Sequence, residues 1–154
     1  MPKTVELSTT LAAPPPKVIE HVGRTALLEY VSRGILRFVP VDPHRFPEVW
    51  REGRYKVNLY LFGFVPLGWQ TIGIEPQPGS GKTWSMRDNG YGWAIKTWDH
   101  TIEVTPRGEG SCYTDRITVD AGVLTTLTAL FAKLFYRHRQ RRWRKLVANG
   151  FDYA

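Results

Sequence analysis

Cysteine is nearly absent: Cys112 stands alone, which excludes an internal disulfide framework and any cysteine-cluster metal site. Four scattered histidines are then the only soft ligands left, and neither a metal nor another cofactor is expected. No apolar run approaches the roughly 18 residues needed to span a bilayer. The start of the chain, Met1 to Thr10, has neither a charged stretch leading into an apolar one nor a cleavage site. These shortages predict a soluble protein of a reducing, cytoplasmic compartment. Repeats are missing too, and the one low-complexity tract is Pro14-Pro15-Pro16. Acidic residues are missing from one segment in particular. From Lys133 to Lys145 there are seven basic residues and no acidic one; the whole chain has 21 Lys+Arg and 14 Asp+Glu, so 21 less seven leaves a formally neutral body. At 154 residues the chain suffices for one domain, 1–154, and is too short for two.

Thr4 to Thr10 alternates and is rich in β-formers, which predicts a first strand ended by the prolines. Those prolines can open a helix, because the first helical N–H has no partner to lose. From Pro15 to Arg33 the apolar spacing is helical but broken by Gly23 and closed by Gly34, which predicts two short helices. Six strands follow: 35–41, 54–62, 67–75, 83–87, 92–104 and 111–120, with turn-like connections between them. Asn89-Gly90 is read as a tight hairpin turn, since a primed two-residue turn needs positive φ at both positions. A long helix from about Leu124 to Ala148 ends at Asn149-Gly150. On a wheel of about 100° per residue, Leu124, Leu127, Phe131, Leu134, Phe135 and Leu146 form one apolar stripe that also carries His138 and Arg142. The predicted fold is α+β: a curved seven-stranded antiparallel sheet wrapped around that helix, with two short helices after the first strand.

This order resembles the START-like superfamily, also called the polyketide-cyclase or SRPBCC group, with its helix-grip fold. The strings that carry the resemblance are Pro15-Pro16-Lys17-Val18-Ile19, Trp50-Arg51-Glu52-Gly53, Pro66-Leu67-Gly68-Trp69-Gln70 and the terminal helix. Met86-Arg87-Asp88-Asn89-Gly90, Trp98-Asp99-His100, Tyr113-Thr114-Asp115-Arg116 and the run from Phe135 to Trp143 resemble a bacterial branch of undefined function. The resemblance implies a cavity between sheet and helix that holds an apolar small molecule or lipid, and in some members a cyclase or aromatase activity.

The site candidates follow from strand faces. Pairing Val104 with Ser111 sets Asp99 opposite Arg116 and Thr101 opposite Thr114 on one face. Trp98 then meets Ile117, His100 meets Asp115 and Ile102 meets Tyr113 on the other, more apolar face, which points inward. His100 and Asp115 would form a carboxylate–imidazole pair, fit to fix the register, to contact a ligand or to do acid–base work. The apolar phase of this strand switches near Lys96-Thr97; a β-bulge there would restore it, and otherwise Lys96 points inward. Tyr55, Val57, Leu59 and Leu61 are the inward set of the third strand, with Lys56 and Asn58 outward, while for the fourth both Trp69-Thr71 and Gln70-Ile72-Ile74 stay open. Phe131, Leu134, Phe135 and His138 are the ligand-facing residues of the helix, although the helix can equally have left the sheet by His138 and Arg142. Pro78-Gly79-Ser80-Gly81-Lys82-Thr83 superficially matches a phosphate loop, but Pro76 stands where glycine is required and a strand follows, so it is a hairpin turn.

The expected function is binding of a hydrophobic or amphipathic small molecule or lipid. The alternatives are a cyclase-like enzyme using His100 and Asp115, and docking on an anionic membrane surface or acidic partner through the basic helix. That segment can also be a plain solvated face, with Arg137, Arg139, Arg141 and Arg144 pointing outward. Nucleic acid is disfavoured, because no aromatic platform or recognition-helix pattern accompanies the charge.

Overall fold

The computed structural model describes all residues, 1–154. Its order is β1 (Lys3–Leu11), α1 (Pro15–Val22), α2 (Thr25–Ser32), β2 (Leu36–Asp42), β3 (Gly53–Leu61), β4 (Val65–Pro76), β5 (Trp84–Gly92), β6 (Thr97–Arg107), β7 (Gly110–Asp120) and α3 (Thr125–Ala148), with one 3₁₀ turn, Gly122–Leu124, before α3. The seven strands form one antiparallel sheet in the order β1-β7-β6-β5-β4-β3-β2. This is the expected meander, closed by β1 pairing beside β7. Proline opens α1, and α3 stops where Gly150 takes φ +74° and the Phe151 N–H returns to the Leu146 carbonyl. No helix is long and apolar enough to cross a membrane.

Several expectations are corrected. Asn89-Gly90 is not a turn: Asn89 pairs with Asp99 and Gly90 with Trp98 inside β5, and the connection to β6 is Trp93–Lys96. The phase switch near Lys96-Thr97 is therefore that turn; it needs no bulge, and Lys96 is exposed rather than inward. Gly90 serves close approach instead, since a Cβ there would lie 2.9 Å from the Trp98 carbonyl and 3.0 Å from that of Thr71. The β6–β7 register is displaced by two residues, with Val104 opposite Tyr113, Thr101 opposite Arg116 and His100 opposite Ile117. The strands run on through Pro106 to a two-residue Gly108-Glu109 turn, with φ +58° at Gly108. A shift of two keeps every side chain on its predicted face. Asp99 is consequently bridged by Arg87 of β5, at 2.9 and 2.8 Å, and Arg116 reaches Glu6 and Glu103.

The β4–β5 ladder is interrupted where Gly73 meets Asn89 and Gly90: pairing runs to Thr71–Tyr91 and resumes at Ile74–Asp88. A Cβ on Gly73 would lie 2.6 Å from the Asn89 carbonyl. Small residues at this spot let the sheet curl sharply. The Gly73 N–H, without a ladder partner, donates to Asp88 Oδ1 at 2.8 Å.

Helix α3 packs on β1, β7 and α2, burying Phe135 and Leu146 of the predicted stripe but turned away from the rest of it. Its buried residues are Thr125, Ala129, Ala132, Phe135, Tyr136, Arg139, Gln140, Trp143 and Leu146, a face centred roughly 100° around the helix from Phe131. Ala129 and Ala132 let the helix approach β1 and β7 closely. Leu124, Leu127 and Leu134, on the predicted stripe, are 55%, 64% and 53% exposed. Leu124 and Leu127 have no sheet against them because they line a cavity, and Leu134 faces solvent. Arg139 is correspondingly not on an outer face but only 7% exposed.

The buried hydrophobic residues form three clusters instead of one. The first joins α1, α2 and the end of α3 to Ile102, Val104 and Tyr113. The second sets Trp98, Ile117 and Val119 against Ala129, Ala132, Phe135 and Tyr136. The third is Tyr55, Val57, Ile72 and Ile74.

Candidate functional site: a cavity between sheet and helix

A cavity of about 450 Å³ lies between the three clusters, lined by 31 residues of which 24 are hydrophobic. That volume falls within the range of small-molecule sites. Strands β2 to β6, helix α2 and the first half of α3 supply the walls. The mouth is apolar and open: Trp93 and Leu127 line the cavity and are each 64% exposed, while Leu67 and Trp69 are each 36% exposed. Gly68, at φ +91°, admits the Trp93 indole against the backbone, where a Cβ would collide with the ring; the Trp93 Nε1–H donates to the Leu67 carbonyl at 2.8 Å.

The inner end is polar. His100, Arg139, Asp88, Tyr136 and Gln70 line it, and His100 and Arg139 are only 4% and 7% exposed. His100 Nε2 lies 2.6 Å from Asp115 Oδ1, and the Gln140 amide donates to Asp115 Oδ2 at 3.0 Å and to the Leu7 carbonyl at 2.8 Å. A carboxylate can only accept, so the histidine proton belongs on Nε2 and Nδ1 is the acceptor left for the cavity. Burial pulls the His100 pKa below its ordinary value against the opposing pull of Asp115, so the imidazole is neutral at neutral pH. Burial also pushes the Asp88 carboxyl from its ordinary 3.8 up to about 7, offset in part by the Gly73 N–H and by Arg139.

Arg139 is the unexpected member. Its guanidinium carbon sits 4.9 Å from the Tyr136 ring centre and 5.6 Å from that of Phe135, a cation–π arrangement. Burial opposes its charge, the nearby Asp115 and Asp88 carboxyls support it, and the guanidinium stays protonated. It takes part in none of the ion pairs within 4.0 Å, and its Nε is enclosed without an acceptor. Stacking on aromatic faces is worth about 0.5–2 kcal/mol, whereas removing a cation from water costs several.

Of the residues predicted from sequence, Leu59, Trp98, His100, Ile102, Phe131 and Phe135 line the cavity. Tyr55 and Val57 face inward but are covered within the third cluster. Tyr113 and Ile117 are fully buried in the first and second clusters, and Asp115 stands behind His100, out of reach of the cavity. Leu134 does not line it. His138 does not either: its Nε2–H donates to the Arg33 carbonyl at 2.8 Å, and Arg142 likewise donates to the Tyr30 carbonyl at 3.0 Å, stacking on that ring. Both clamp α3 onto α2. On β4 the inward set is Gln70, Ile72 and Ile74. Arg139, Asp88 and Met86 were missed by the sequence reading. The signal for Arg139 was its place one turn after Tyr136 and Phe135 on the helix, which hydrophobicity alone does not weigh.

No group of three His, Cys, Asp or Glu side chains could hold a metal ion. The hydroxyls on the cavity wall are those of Thr128 and Tyr136.

A curved antiparallel sheet gripping a long C-terminal helix around an interior cavity is the helix-grip fold. Known folds agree over nearly the whole chain. A Chromobacterium violaceum protein matches with TM-score 0.68 at 15% identity, covering 94% of this chain and 96% of its own. A START superfamily protein from Mycobacterium smegmatis matches at 0.65 and 9% identity, covering 95% and 97%. A major latex-like protein from Panax ginseng matches at 0.55 and 11% identity, covering 94% and 96%. The chain belongs to the family described as a domain of unknown function, DUF8410, whose pattern spans residues 9–147. No curated protein matches it in sequence.

Proposed function

We propose that the protein binds a hydrophobic or amphipathic small molecule or lipid in the cavity, in a reducing, cytoplasmic setting where Cys112 stays a thiol. The observation that carries this reading is a 450 Å³ space with apolar walls, an open apolar mouth and a polar inner end. The START-like fold of the neighbours supports it. A cyclase-like reaction at His100 finds less support, since Tyr136 and Thr128 are the hydroxyls at hand and His100 is paired with a fully buried carboxylate. Binding is tested with the neutral solvatochromic dye Nile red and by native mass spectrometry of protein purified from its own host. We expect a fluorescence rise that is lost when Ile72→Trp fills the space, and a co-purifying small molecule. A dye response unchanged by Ile72→Trp, with no bound mass, refutes the proposal.

A second reading, docking of the mouth on a membrane surface, is favoured by what α3 shows to solvent. Val123, Leu127, Leu130 and Leu134 are each more than half exposed beside the mouth, and exposed Lys133, Arg137 and Arg141 follow along the helix. Apolar insertion next to basic charge suits an anionic bilayer. Co-sedimentation with phosphatidylserine vesicles should be lost in the Leu130→Glu/Leu134→Glu variant; binding unaffected by that change, or equal on neutral vesicles, rules the reading out.

A further inference from the structure

We propose that Arg139 anchors the acidic headgroup of the cavity's occupant, which makes the ligand class an amphipathic monocarboxylic acid rather than a neutral lipid. The inference rests on the cavity-binding reading and adds the chemistry of the headgroup.

Arg139 is more than nine-tenths buried, lines the cavity and is stacked on Tyr136. No protein acceptor lies within bonding distance of it: Asp115 has both oxygens engaged, by His100 and by Gln140, and Asp88, with Oδ1 taken by the Gly73 N–H, makes no ion pair with it within 4.0 Å. A buried guanidinium that stays charged needs an acceptor, and its planar fork fits a carboxylate with two parallel N–H···O bonds. The guanidinium carbon lies 4.9 Å from the Tyr136 ring centre on the cavity wall, which restricts where the fork can lie.

The surroundings select a single negative charge. Asp88 and Asp115 both lie near enough to act on Arg139 electrostatically, so a second charge on the headgroup would meet repulsion. A phosphodiester headgroup would carry further polar atoms into a space with few partners for them. The polarity gradient completes the match: the cation is at the inner end and the exposed Trp93 and Leu127 are at the mouth, so an acid enters head first and leaves its hydrocarbon against apolar walls.

The test displaces Nile red with dodecanoate, dodecanol and dodecylamine, three probes that share a chain and differ in the head. In the native protein dodecanoate should displace the dye roughly tenfold to a hundredfold more strongly than dodecanol, the worth of a charge-assisted hydrogen bond, and dodecylamine should be the weakest. Arg139→Met should bring dodecanoate down to the level of dodecanol and leave dodecanol unchanged, while Arg139→Lys keeps part of the preference. Equal displacement by acid and alcohol in the native protein, with the dye bound, overturns the headgroup assignment alone. Dye binding absent altogether overturns the cavity reading and this inference with it. A purely structural role for Arg139 predicts that Arg139→Met weakens all three probes alike, and that result also refutes the proposal. Should Arg139→Met not fold, the native comparison and Arg139→Lys decide.

Discussion

Replacing Asp88 by asparagine should make the protein more stable, by an amount that grows with pH. The carboxyl faces the cavity from β5; Arg139 of α3 favours its ionised form, while Glu75 of β4 and Asp99 of β6 oppose it through the sheet, and burial outweighs them all. The pKa is raised from 3.8 to about 7, and at 1.36 kcal/mol per unit that amounts to about 4 kcal/mol of folding free energy once the group is ionised. The folded state holds the proton more tightly than the unfolded one. Stability is therefore undiminished below about pH 4, falls as pH rises through the window up to about 7, and stays low above it. Asparagine keeps an Oδ1 acceptor for the Gly73 N–H and never ionises, so it removes this slope. Its advantage over the native protein should be roughly 2 to 3 kcal/mol larger at about pH 8 than at about pH 5. Urea unfolding followed by circular dichroism at both pH values measures the difference. A gain that does not change with pH, or an asparagine variant that loses ground as pH rises, refutes the reasoning, because neither is compatible with a carboxyl whose pKa is raised by folding.

Three further outcomes follow from other parts of the molecule. Gly73→Ala should lower stability by about 1–3 kcal/mol, since its Cβ would lie 2.6 Å from the Asn89 carbonyl and the curl of β4 must relax; thermal melting reads this directly, and an unchanged midpoint disproves close approach. Leu134→Ser should change stability by less than about 0.5 kcal/mol, whereas Leu146→Ala, at a fully buried position, should cost about 2–5 kcal/mol; equal costs would restore the helix face predicted from hydrophobicity. His100→Leu leaves Asp115 as a buried carboxylate with Gln140 as its remaining side-chain partner and should cost about 3–5 kcal/mol. Adding Asp115→Leu should recover much of that loss in chemical denaturation; a double variant as unstable as the sum of the singles contradicts the pair.

The strand and helix order was legible because each element carries its own periodicity and its own stop: the prolines before α1, Gly34 after α2, Asn149-Gly150 after α3. Inward faces of β3 and β6 were legible for the same reason, and they survived a register error of two residues. What failed depended on where the sheet bends. Asn89-Gly90 has the chemistry of a tight turn, yet in this fold the glycine lets strands touch, and only the neighbouring Gly73 on another strand shows which role wins. The helix face failed because leucines mark a stripe that wants apolar company, without saying whether a sheet or a ligand provides it. Arg139 was read outward with its neighbours since charge predicts solvent; its burial is imposed by tertiary contacts of Tyr136, Gln140 and Trp143 on either side of it.

The division of the core into three clusters ties the cavity to the thermodynamics of the whole chain. Val22 and Ile102 from the first cluster, Trp98 and Phe135 from the second and Ile72 and Ile74 from the third all reach the same space. A molecule seated there would touch all three at once, so its binding energy would add to the cohesion that Met86, packed against the first and third clusters, and Phe38, packed against the second and third, already give. At a hundred times its dissociation constant such a molecule adds about 2.7 kcal/mol to stability, a sizeable share of the 5–15 kcal/mol that holds a typical domain folded. If the proposed ligand binds there, resistance to proteolysis would rise with its supply.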